Sequence, residues 1–391
     1  MTSSPLTLKG LEAMSDTMNL PNGEWKEYSL EELAVIFNDK RVPLSSMERS
    51  KKKGSFPYYG ASGVIDSVDD YLFDGEYVLI SEDGENLKSR QTPIAFIANG
   101  KFWVNNHAHI VKGKKKYLNQ LLVYYFANLD LNPYLTGAVQ PKLNKANLIS
   151  IPIYLPQDES EQAAIASVLS SLDDKIDLLH RQNATLERMA ETLFRQWFVE
   201  EATDVVVDLG DYADNIRKNA RVEDLVQYEN YVGLEHIPKK SISLYEWGKT
   251  DNLASNKSVF KENDILFGKL RSYFHKVVFA PINGVCSTDI LVIKSKQPEW
   301  FSFCLFWFSN PDLVEYSDLG AGGTRMPRTS WEIISSYKIP KPDADKIAKF
   351  NEFTLPLIEK IKFNQTQIRT LTALRDTLLP KLMSGEVRVE V

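Results

Sequence analysis

LDDKIDLLHRQNATLERMAETLFRQWFV at residues 172–199 decides the fold, because its apolar pattern returns as IKFNQTQIRTLTALRDTLLPKL at residues 361–382. In both stretches the pattern advances by alternating steps of three and four residues, and the second copy follows the first at a constant offset of 185. Such spacing puts a narrow stripe on one face of a helix, along which two helices can pack. This stripe, called the seam below, consists of Ile176, Leu179, Asn183, Leu186, Ala190, Leu193 and Trp197 in the first copy and Ile361, Asn364, Ile368, Leu371, Arg375, Leu378 and Leu382 in the second.

The seam predicts two long helices that pack together as a coiled coil. Residues 172–199 number 28, which corresponds to about 42 Å of helix at 1.5 Å per residue. Sites one turn apart on one face of B-DNA are separated by roughly 34–36 Å. A helix pair of this length could therefore act as a ruler with a reading domain at each end. Asn183 and Asn364 interrupt the seam, and a buried Asn in a paired coil usually fixes the register at a cost in stability.

The segments that precede each helix also correspond in order and spacing, although most identities differ. Four blocks recur at offsets between 181 and 187: residues 77–80 as 264–267, residues 104–111 as 285–292 (offset 181), residues 124–131 as 306–313, and Gly137, Pro141 and Pro156 as Gly323, Pro327 and Pro342. A duplicated frame with different contents suits a protein that reads two different things with one architecture. The sequence predicts a pseudo-twofold internal repeat.

Short alternating runs broken by Gly, Asn and Asp predict strands in the middle of each half, with one buried helix apiece near residues 118–129 and 300–310. The first long helix is expected from about residue 158, with a break near Ser170 and Ser171, and the last is expected to end before Gly385. The predicted class is α+β, with two strand-rich domains separated by two long antiparallel coiled-coil helices. The predicted boundaries are an N-terminal arm at 1–24, a first domain at 25–156, a helical region at 157–199, a second domain at 200–342 and a C-terminal helical region at 343–391.

Charge is distributed unevenly along the chain, although the net charge is −6. Residues 101–150 contain seven Lys and one acidic residue, whereas residues 151–210 contain twelve acidic and four basic residues. The positive block coincides with the diverged part of the first half, as expected for a nucleic-acid surface. Two cysteines, no metal-ligand spacing, no apolar run of membrane-spanning length and no signal peptide at the start predict a cytoplasmic protein without a membrane segment.

Several motifs together resemble the specificity subunit of type I restriction-modification enzymes (HsdS). In the first half they are FPYYGASG, VNNHAH, GAVQPKLNK, ESEQAAIASVLSSLDDKIDLL and LERMAETLFRQWF, and in the second half they are YVGLEHIP, NDILFGKLR, STDILV, GGTRMPR and LRDTLLPKLMSGEV. The resemblance implies two target-recognition domains, each reading one half of a bipartite, asymmetric sequence in double-stranded DNA, with the helices setting the spacing.

The resemblance also implies a subunit without catalytic activity of its own. Its partners would be two copies of the methyltransferase subunit (HsdM) and a translocating nuclease subunit (HsdR). S-adenosylmethionine, ATP and Mg would bind those partners, so no cofactor is expected on this chain. The QPKL of the first loop becomes Met326, Pro327 and Arg328 in the second, and residues 254–300 carry only seven basic against four acidic residues. Unequal affinity of the two domains for DNA is therefore expected.

Amide and cationic side chains on turns held by Gly and Pro are suited to base edges and phosphates. Two alternating sets, residues 105, 107 and 109 and residues 269, 271 and 273, are predicted to share a strand face. No metal site is predicted, since His107 and His109 have no third ligand nearby. The predicted DNA-binding residues are Asn106, His107, Lys112, Gln140, Lys142, Asn144, Lys145, Lys269, Arg271, Tyr273, Thr324, Arg325 and Arg328.

Two other classes of protein remain alternatives. A stand-alone adenine methyltransferase needs an Asn-Pro-Pro-aromatic motif, and Asn132-Pro133-Tyr134 lacks the second proline. A metal nuclease needs separated acids, and Asp343 and Asp345 are too close together at a helix start. A coiled-coil scaffold that binds only proteins would explain the seam, but it would not explain the Gly-, Lys- and Arg-containing loops.

Overall fold

The computed structural model describes residues 25–137, 139–201, 203–323 and 325–390. The predicted N-terminal arm at 1–24 lies outside this range. The chain divides into two units: the first contains the chain up to Asp173 together with Leu374 onwards, and the second contains Asp174–Ala373. Each unit thus combines a strand-rich segment with part of both long helices. No helix in the described residues has the length and apolar character needed to cross a membrane.

The first unit is built on two four-stranded sheets and a two-stranded pair. Its strands are β1 (Trp25–Tyr28), β2 (Ala34–Ile36), β3 (Phe56–Gly60), β4 (Gly63–Val68), β5 (Phe73–Asp74), β6 (Tyr77–Ser81), β7 (Ala95–Ala98), β8 (Lys101–Val104), β9 (Ala108–Gly113) and β10 (Ile153–Pro156). The strand orders are β2-β9-β6-β7, β4-β3-β8-β5 and β1-β10. Its helices are α1 (Leu30–Leu33), α2 (Ser46–Lys51), α3 (Asn86–Ser89), α4 (Lys116–Asn128), α5 (Lys145–Ile149) and the first part of α6 (Glu159–Arg195).

The second unit repeats this plan. Its strands are β11 (Val206–Asp208), β12 (Ala213–Asn215), β13 (Asn219–Ala220), β14 (Asn230–Val232), β15 (Gly248–Lys249), β16 (Lys257–Phe260), β17 (Ile265–Gly268), β18 (Val277–Phe279), β19 (Gly284–Cys286), β20 (Ile290–Ser295) and β21 (Lys338–Pro340). They form the sheets β12-β20-β17-β18 and β13-β16-β19-β14-β15 and the pair β11-β21. Its helices are α7 (Phe301–Phe308), α8 (Pro311–Leu319), α9 (Trp331–Ser335) and the first part of α10 (Ala344–Met383).

Strand pairing shows how the two halves correspond. Leu79 on β6 pairs with Ile110 on β9, and Leu266 on β17 pairs with Val292 on β20. The first positions differ by 187 and the second by 182. The predicted offset of 181 for this block is therefore wrong by one residue. A one-residue slip would turn every side chain of the strand to the opposite face, so the pairing, and not the letter match, sets the correspondence.

Each unit has a core into which a buried helix and the long helices pack. In the first unit, α4 buries Leu118 and Phe126 in the same cluster as Leu169 of α6 and Leu382 of α10. In the second unit, every residue of α7 is buried, because aromatic side chains of α6 and α10 surround it. The two buried helices predicted near residues 118 and 300 are confirmed.

The two long helices run antiparallel within each unit. In the second unit Asn183 contacts Asn364 at 2.8 Å, while Phe194, further along α6, packs against Phe350, which is earlier on α10. In the first unit Asp173 pairs with Arg375 at 2.8 Å. All seam residues are buried or half-buried.

The helix boundaries match the prediction except at one point. α6 is continuous through Ser170 and Ser171, whose hydroxyls donate to carbonyls three residues earlier, so the predicted break is wrong. It ends in a single wide turn at Gln196–Glu200. α10 stops before Gly385, which adopts a φ of 75° that other residues rarely accept.

Candidate nucleic-acid interface

The predicted GAVQPKLNK motif forms a closed loop at residues 136–142, called the first loop. The amide of Thr136 donates to the Lys142 carbonyl and the amide of Lys142 donates to the Thr136 carbonyl, both at 2.8 Å. Gly137 has a φ of 87°, a conformation that glycine adopts without a steric cost. Ala138 lies outside the described residues. The loop thus holds Gln140 and Lys142 exposed on a small hydrogen-bonded frame.

The GGTRMPR motif forms the equivalent loop at residues 322–328, called the second loop. The amide of Gly322 donates to the Arg328 carbonyl at 3.1 Å, and the reciprocal bond measures 3.0 Å. Gly323 has a φ of 99°. The predicted contact Thr324 lies outside the described residues, whereas Arg325 is described and exposed. Both loops are therefore closed in the same way, at positions 186 residues apart.

Each loop is tied to the end of the equivalent central strand. In the first unit the amide of Leu143 donates to the Glu82 carbonyl at 2.8 Å, and the Glu82 amide donates to the His107 carbonyl at 2.9 Å. In the second unit the same bonds join Thr329 to Lys269 at 3.0 Å and Lys269 to Asp289 at 2.9 Å. In both units, motifs that are far apart in the sequence are thus brought together at the end of an inner strand of a sheet.

A short helix follows each loop, and one predicted DNA-binding residue, Asn144, caps the first of these helices. The Asn144 side chain accepts a hydrogen bond from the Asn147 amide and caps α5, as Ser330 caps α9. A side-chain oxygen at this position satisfies an otherwise unpaired amide of the first turn. Asn144 therefore has a structural partner within the protein, while the neighbouring Lys145 is exposed.

The predicted strand face at residues 105, 107 and 109 is wrong. β8 ends at Val104 and β9 begins at Ala108, so residues 105–107 form a turn. The buried Asn105 accepts a hydrogen bond from the His107 amide at 2.8 Å, and Ser287 accepts the equivalent bond from Asp289 at 3.2 Å. Such side-chain-to-backbone bonds stabilise turns at the expense of strand pairing. Asn106 and His107 are exposed as a result.

A cluster of charges supports the first loop. Glu82 accepts from Arg41 at 2.6 Å and lies 3.4 Å from the Lys142 ammonium, and Asp83 contacts the His107 ring at 2.8 Å. Burial alone would raise the pKa of Glu82, but the Arg41 hydrogen bond and the neighbouring positive charges hold the pKa below its ordinary value. Lys142 thus has a charged partner, and the His107 ring a hydrogen-bonding partner, before any ligand binds.

His109 is a structural residue below the first loop. It is fully buried. Its Nε2 lies 2.7 Å from the Leu143 backbone carbonyl oxygen, and its Nδ1 lies 2.7 Å from the side-chain nitrogen of Asn38. A neutral ring that donates from Nε2 and accepts at Nδ1 satisfies both contacts. Burial lowers the pKa of His109 and favours this neutral form. Within the described ranges, no group of His, Cys, Asp or Glu could hold a metal ion.

The predicted alternating face at Lys269, Arg271 and Tyr273 is also wrong. β17 ends at Gly268, Arg271 has a φ of 52°, and Tyr273 lies in a single turn of 3₁₀ helix with its ring half exposed. These residues form a connection that supports the second loop, since the Arg271 amide donates to the Pro327 carbonyl at 2.8 Å. The connection leaves the strand because the left-handed backbone at Arg271 breaks the extended conformation.

The cations of the predicted site differ in how they are held. Arg328 donates to both oxygens of Asp289, at 2.9 and 3.2 Å, and this carboxylate raises the pKa of Arg328. Lys112 lies on β9 with its ammonium 4.8 Å from the Tyr77 ring centre. Arg325 is exposed and makes no ion pair with any residue that the structure describes.

Sequence reasoning missed the residues that hold the loops in place. Arg41 and Glu82 lie in no quoted motif, and Asp289 lies in STDILV without having been assigned a role; the side-chain bonds of Arg41 and Asp289 reach partners 39 to 67 residues away in the chain. Only the strand pairing brings them to the loops. Comparison of the two halves could have drawn attention to Glu82, because its counterpart Lys269 carries the opposite charge.

Comparisons with known proteins agree with this architecture. The family model for the type I restriction modification DNA specificity domain matches residues 22–188. A putative type I restriction enzyme specificity subunit of Haemophilus influenzae is 43% identical over 149 residues, which cover 38% of this chain and 37% of that protein. The MjaIX specificity subunit of Methanocaldococcus jannaschii is 28% identical over 346 residues, or 78% of each chain.

A solved structure shows the same fold. The S subunit of a type I restriction-modification system from M. genitalium superposes with a TM-score of 0.60 at 14% identity, covering 93% of this chain and 98% of that one. The predicted α+β class, with two strand-rich parts, two long helices and an internal repeat, is confirmed. The chain is thus similar to specificity subunits of type I restriction enzymes, and its residues 22–188 match the DNA specificity domain of those enzymes.

Proposed function

We propose that each unit reads one half of a bipartite, asymmetric DNA target. The observation that carries this proposal is the loop that the chain builds twice, closed by the same backbone bonds and tied to the same strand end. A frame held by backbone bonds keeps its geometry when its side chains change. Phosphate contacts can then position a duplex while side chains on the loop contact base edges.

Equivalent positions carry different chemistry, which supports the reading of two different half-sites. Gln140 corresponds to Met326, Lys142 to Arg328, and Glu82 to Lys269. An amide can pair with adenine and a guanidinium with guanine, whereas a thioether offers only apolar contact. Two frames of one shape with unlike donors and acceptors would select unlike bases, so the complete target would be asymmetric.

The long helices would set the distance between the half-sites. α6 contains 37 residues and α10 contains 40, and both are continuous, giving about 55 and 60 Å of rod at 1.5 Å per residue. The buried Asn183–Asn364 hydrogen bond pairs the helices in one register, as polar groups do in coiled coils. A rod of fixed register supports the proposal of a fixed spacer.

The outer faces of the helices would receive the partner subunits. Phe353 and Phe363 on α10 are 63% and 56% exposed, and Met189 on α6 is 55% exposed. Large exposed apolar side chains mark protein-binding surfaces when they cluster. We expect two methyltransferase subunits, and in the full complex a translocating nuclease, with S-adenosylmethionine, ATP and Mg bound by those partners. The buried, unpaired Cys286 and Cys304 suit the reducing cytoplasm.

Replacement of one loop cation tests the assignment of one half-site to each unit. The motif would first be mapped from methylated bases in host DNA, and duplexes with one altered half-site would then be bound by the complex. Lys142→Ala should weaken discrimination at one half-site and Arg325→Ala at the other, each by roughly 1–3 kcal/mol for a base contact. Each variant is the matched control for the other. Equal loss at both halves would refute the assignment.

Insertion of a heptad into both long helices tests whether their length sets the distance between the half-sites. Seven residues add about 10 Å to a helix, or about three base pairs at 3.4 Å each. The methylated motif should acquire a longer spacer with unchanged half-sites. An unchanged spacer would reject the ruler, and a wild-type complex without any preferred duplex would instead indicate a scaffold that binds only proteins.

A further inference from the structure

A groove in the second unit lies beside the second loop and has not been assigned a role. Its volume is about 450 Å³. Its lining includes Arg217 and Asn219, which follow β12, and Thr329 and Trp331, which follow the second loop. Lys269 also lines the groove. Because Lys269 and Thr329 are joined by a backbone hydrogen bond of 3.0 Å, the groove is continuous with the support of the loop.

The lining chemistry suits an anion. Two cations, Arg217 and Lys269, line the groove together with amide and hydroxyl groups, and Glu332 is its one acidic lining residue. Glu332 accepts from Arg217 at 2.9 Å, but both side chains are 69% exposed. Exposed ion pairs of this kind contribute little net stability. Arg217 can therefore exchange the carboxylate for another anion at little cost.

Thr329 provides an independent observation. The residue is only 2% exposed, yet its hydroxyl has no hydrogen-bonding partner among the described residues. Buried polar groups are normally hydrogen-bonded, and an exception needs an explanation. Its amide is already used by the Lys269 carbonyl. The unpartnered group of this groove-lining residue is therefore the hydroxyl, which lies beneath the groove surface and can donate to an anionic oxygen after a rotation about χ1.

The first unit lacks this chemistry at the equivalent positions. Leu143 occupies the place of Thr329 and Glu82 the place of Lys269, as the shared backbone bonds show. A leucine offers no donor, and a carboxylate repels an anion. Among the described residues, the pairing of a hydroxyl with a cation at these two positions therefore occurs in the second unit and not in the first.

We propose that this groove holds a backbone phosphate of the DNA whose half-site the second loop reads, with Arg217 and Lys269 neutralising it and Thr329 donating a hydrogen bond. This inference rests on the proposed function. The groove is suitably placed for this contact, because Thr329 follows the second loop directly and is hydrogen-bonded to Lys269. Phosphate contacts fix the register of a protein on the duplex without reading sequence. The groove would thereby compensate for the thin positive charge of the second unit.

Salt-dependent binding of the full-length chain to a labelled duplex carrying the mapped motif tests the proposal. Arg217→Gln should make the slope of log K against log salt less negative by about 0.9, the value for one lost phosphate contact. It should also weaken binding equally for all sequences of the second half-site. Arg221→Gln is the matched control, because Arg221 is an exposed arginine of the same segment, paired with the exposed Glu223, and does not line the groove. The control should leave the slope unchanged.

Thr329→Val separates binding from folding. The substitution removes an unpartnered hydroxyl and keeps the shape, so the melting temperature should stay the same or rise while duplex affinity falls. Equal slopes for Arg217→Gln and the wild type, or equal losses for Arg217→Gln and Arg221→Gln, would overturn the proposal. So would a thermal shift by inorganic phosphate that Thr329→Val abolishes without a change in duplex binding. A wild-type chain that does not prefer the mapped motif would instead reject the proposed function itself.

Discussion

Replacing the buried Asn183–Asn364 pair should separate helix stability from helix register. The side-chain nitrogen of Asn364 donates a hydrogen bond to the side-chain oxygen of Asn183 at 2.8 Å, and both side chains are at most 3% exposed. The remaining nitrogen of Asn183 and the remaining oxygen of Asn364 have no hydrogen-bonding partner among the described residues. The pair therefore combines one good hydrogen bond with two buried groups that are left unpaired.

The expected magnitudes follow from those three groups. The hydrogen bond contributes about 1 kcal/mol net, and an unpaired buried polar group costs about 1–3 kcal/mol. Asn364→Leu alone leaves the whole Asn183 amide unpaired and should destabilise the helix pair by about 1–3 kcal/mol. Asn183→Leu should cost less, because the Asn364 side-chain nitrogen keeps a 3.3 Å hydrogen bond to the Gln182 side-chain oxygen. The double variant removes every unpaired group, so it should be at least as stable as either single variant, with a favourable coupling of about 1–3 kcal/mol.

Urea unfolding of the full chain, combined with hydrogen exchange at the helix amides, measures these free energies. Additive single and double effects would show that the two side chains do not interact as the structure indicates. A second measurement concerns register, since an apolar pair no longer penalises slipped alignments. The double variant in its complex should methylate sites with more than one spacer length. A single unchanged spacer would refute the role of the pair in fixing the register.

Two further predictions concern the loops. Gly137→Ala should distort the first loop more than Gly323→Ala distorts the second. A Cβ at Gly137 would lie 2.3 Å from the Gln140 carbonyl oxygen, whereas a Cβ at Gly323 would lie 3.4 Å from its nearest neighbour. Binding of each variant to duplexes with one altered half-site measures the effect, and equal losses of affinity would contradict the prediction. His109 has a lowered pKa in the folded state, so unfolding takes up a proton and stability should fall as the pH drops below about 6.5. His109→Gln should flatten that dependence between pH 7 and about 5 in thermal melts, and an unchanged slope would assign the effect to other groups.

Much of the fold could be predicted because its signals are local. The seam repeats every three or four residues, so Leu179 and Ile368 identify their helices from their immediate neighbours. Gly137 and Gly323 mark the loops for the same reason, since a positive φ is a property of one residue. Because the chain repeats its plan, each of these sequence patterns occurs twice, at a nearly constant offset.

The errors lie where a local pattern competes with distant pairing. Residues 105–107 lie between two runs of apolar residues and are predicted to continue the strand, but the Asn105 side chain accepts a hydrogen bond from the His107 backbone amide and forms a turn. Residues 269–273 alternate like a strand, but the left-handed Arg271 ends the extended run. At the second place, β17 also ends where its neighbours β18 and β20, which come later in the chain, begin.

The sequence by itself determined that two long helices exist, that the chain repeats its plan, and that Gly- and Pro-held loops carry the polar residues. Only the tertiary structure decided what those loops rest on: Arg41 and Glu82 beneath the first, and Asp289 and Lys269 beneath the second. The periodicity of a helix is visible within a few consecutive residues, so it can be predicted from a short stretch of sequence. The charge around a loop depends instead on strand register, which long-range hydrogen bonds set and no single segment encodes.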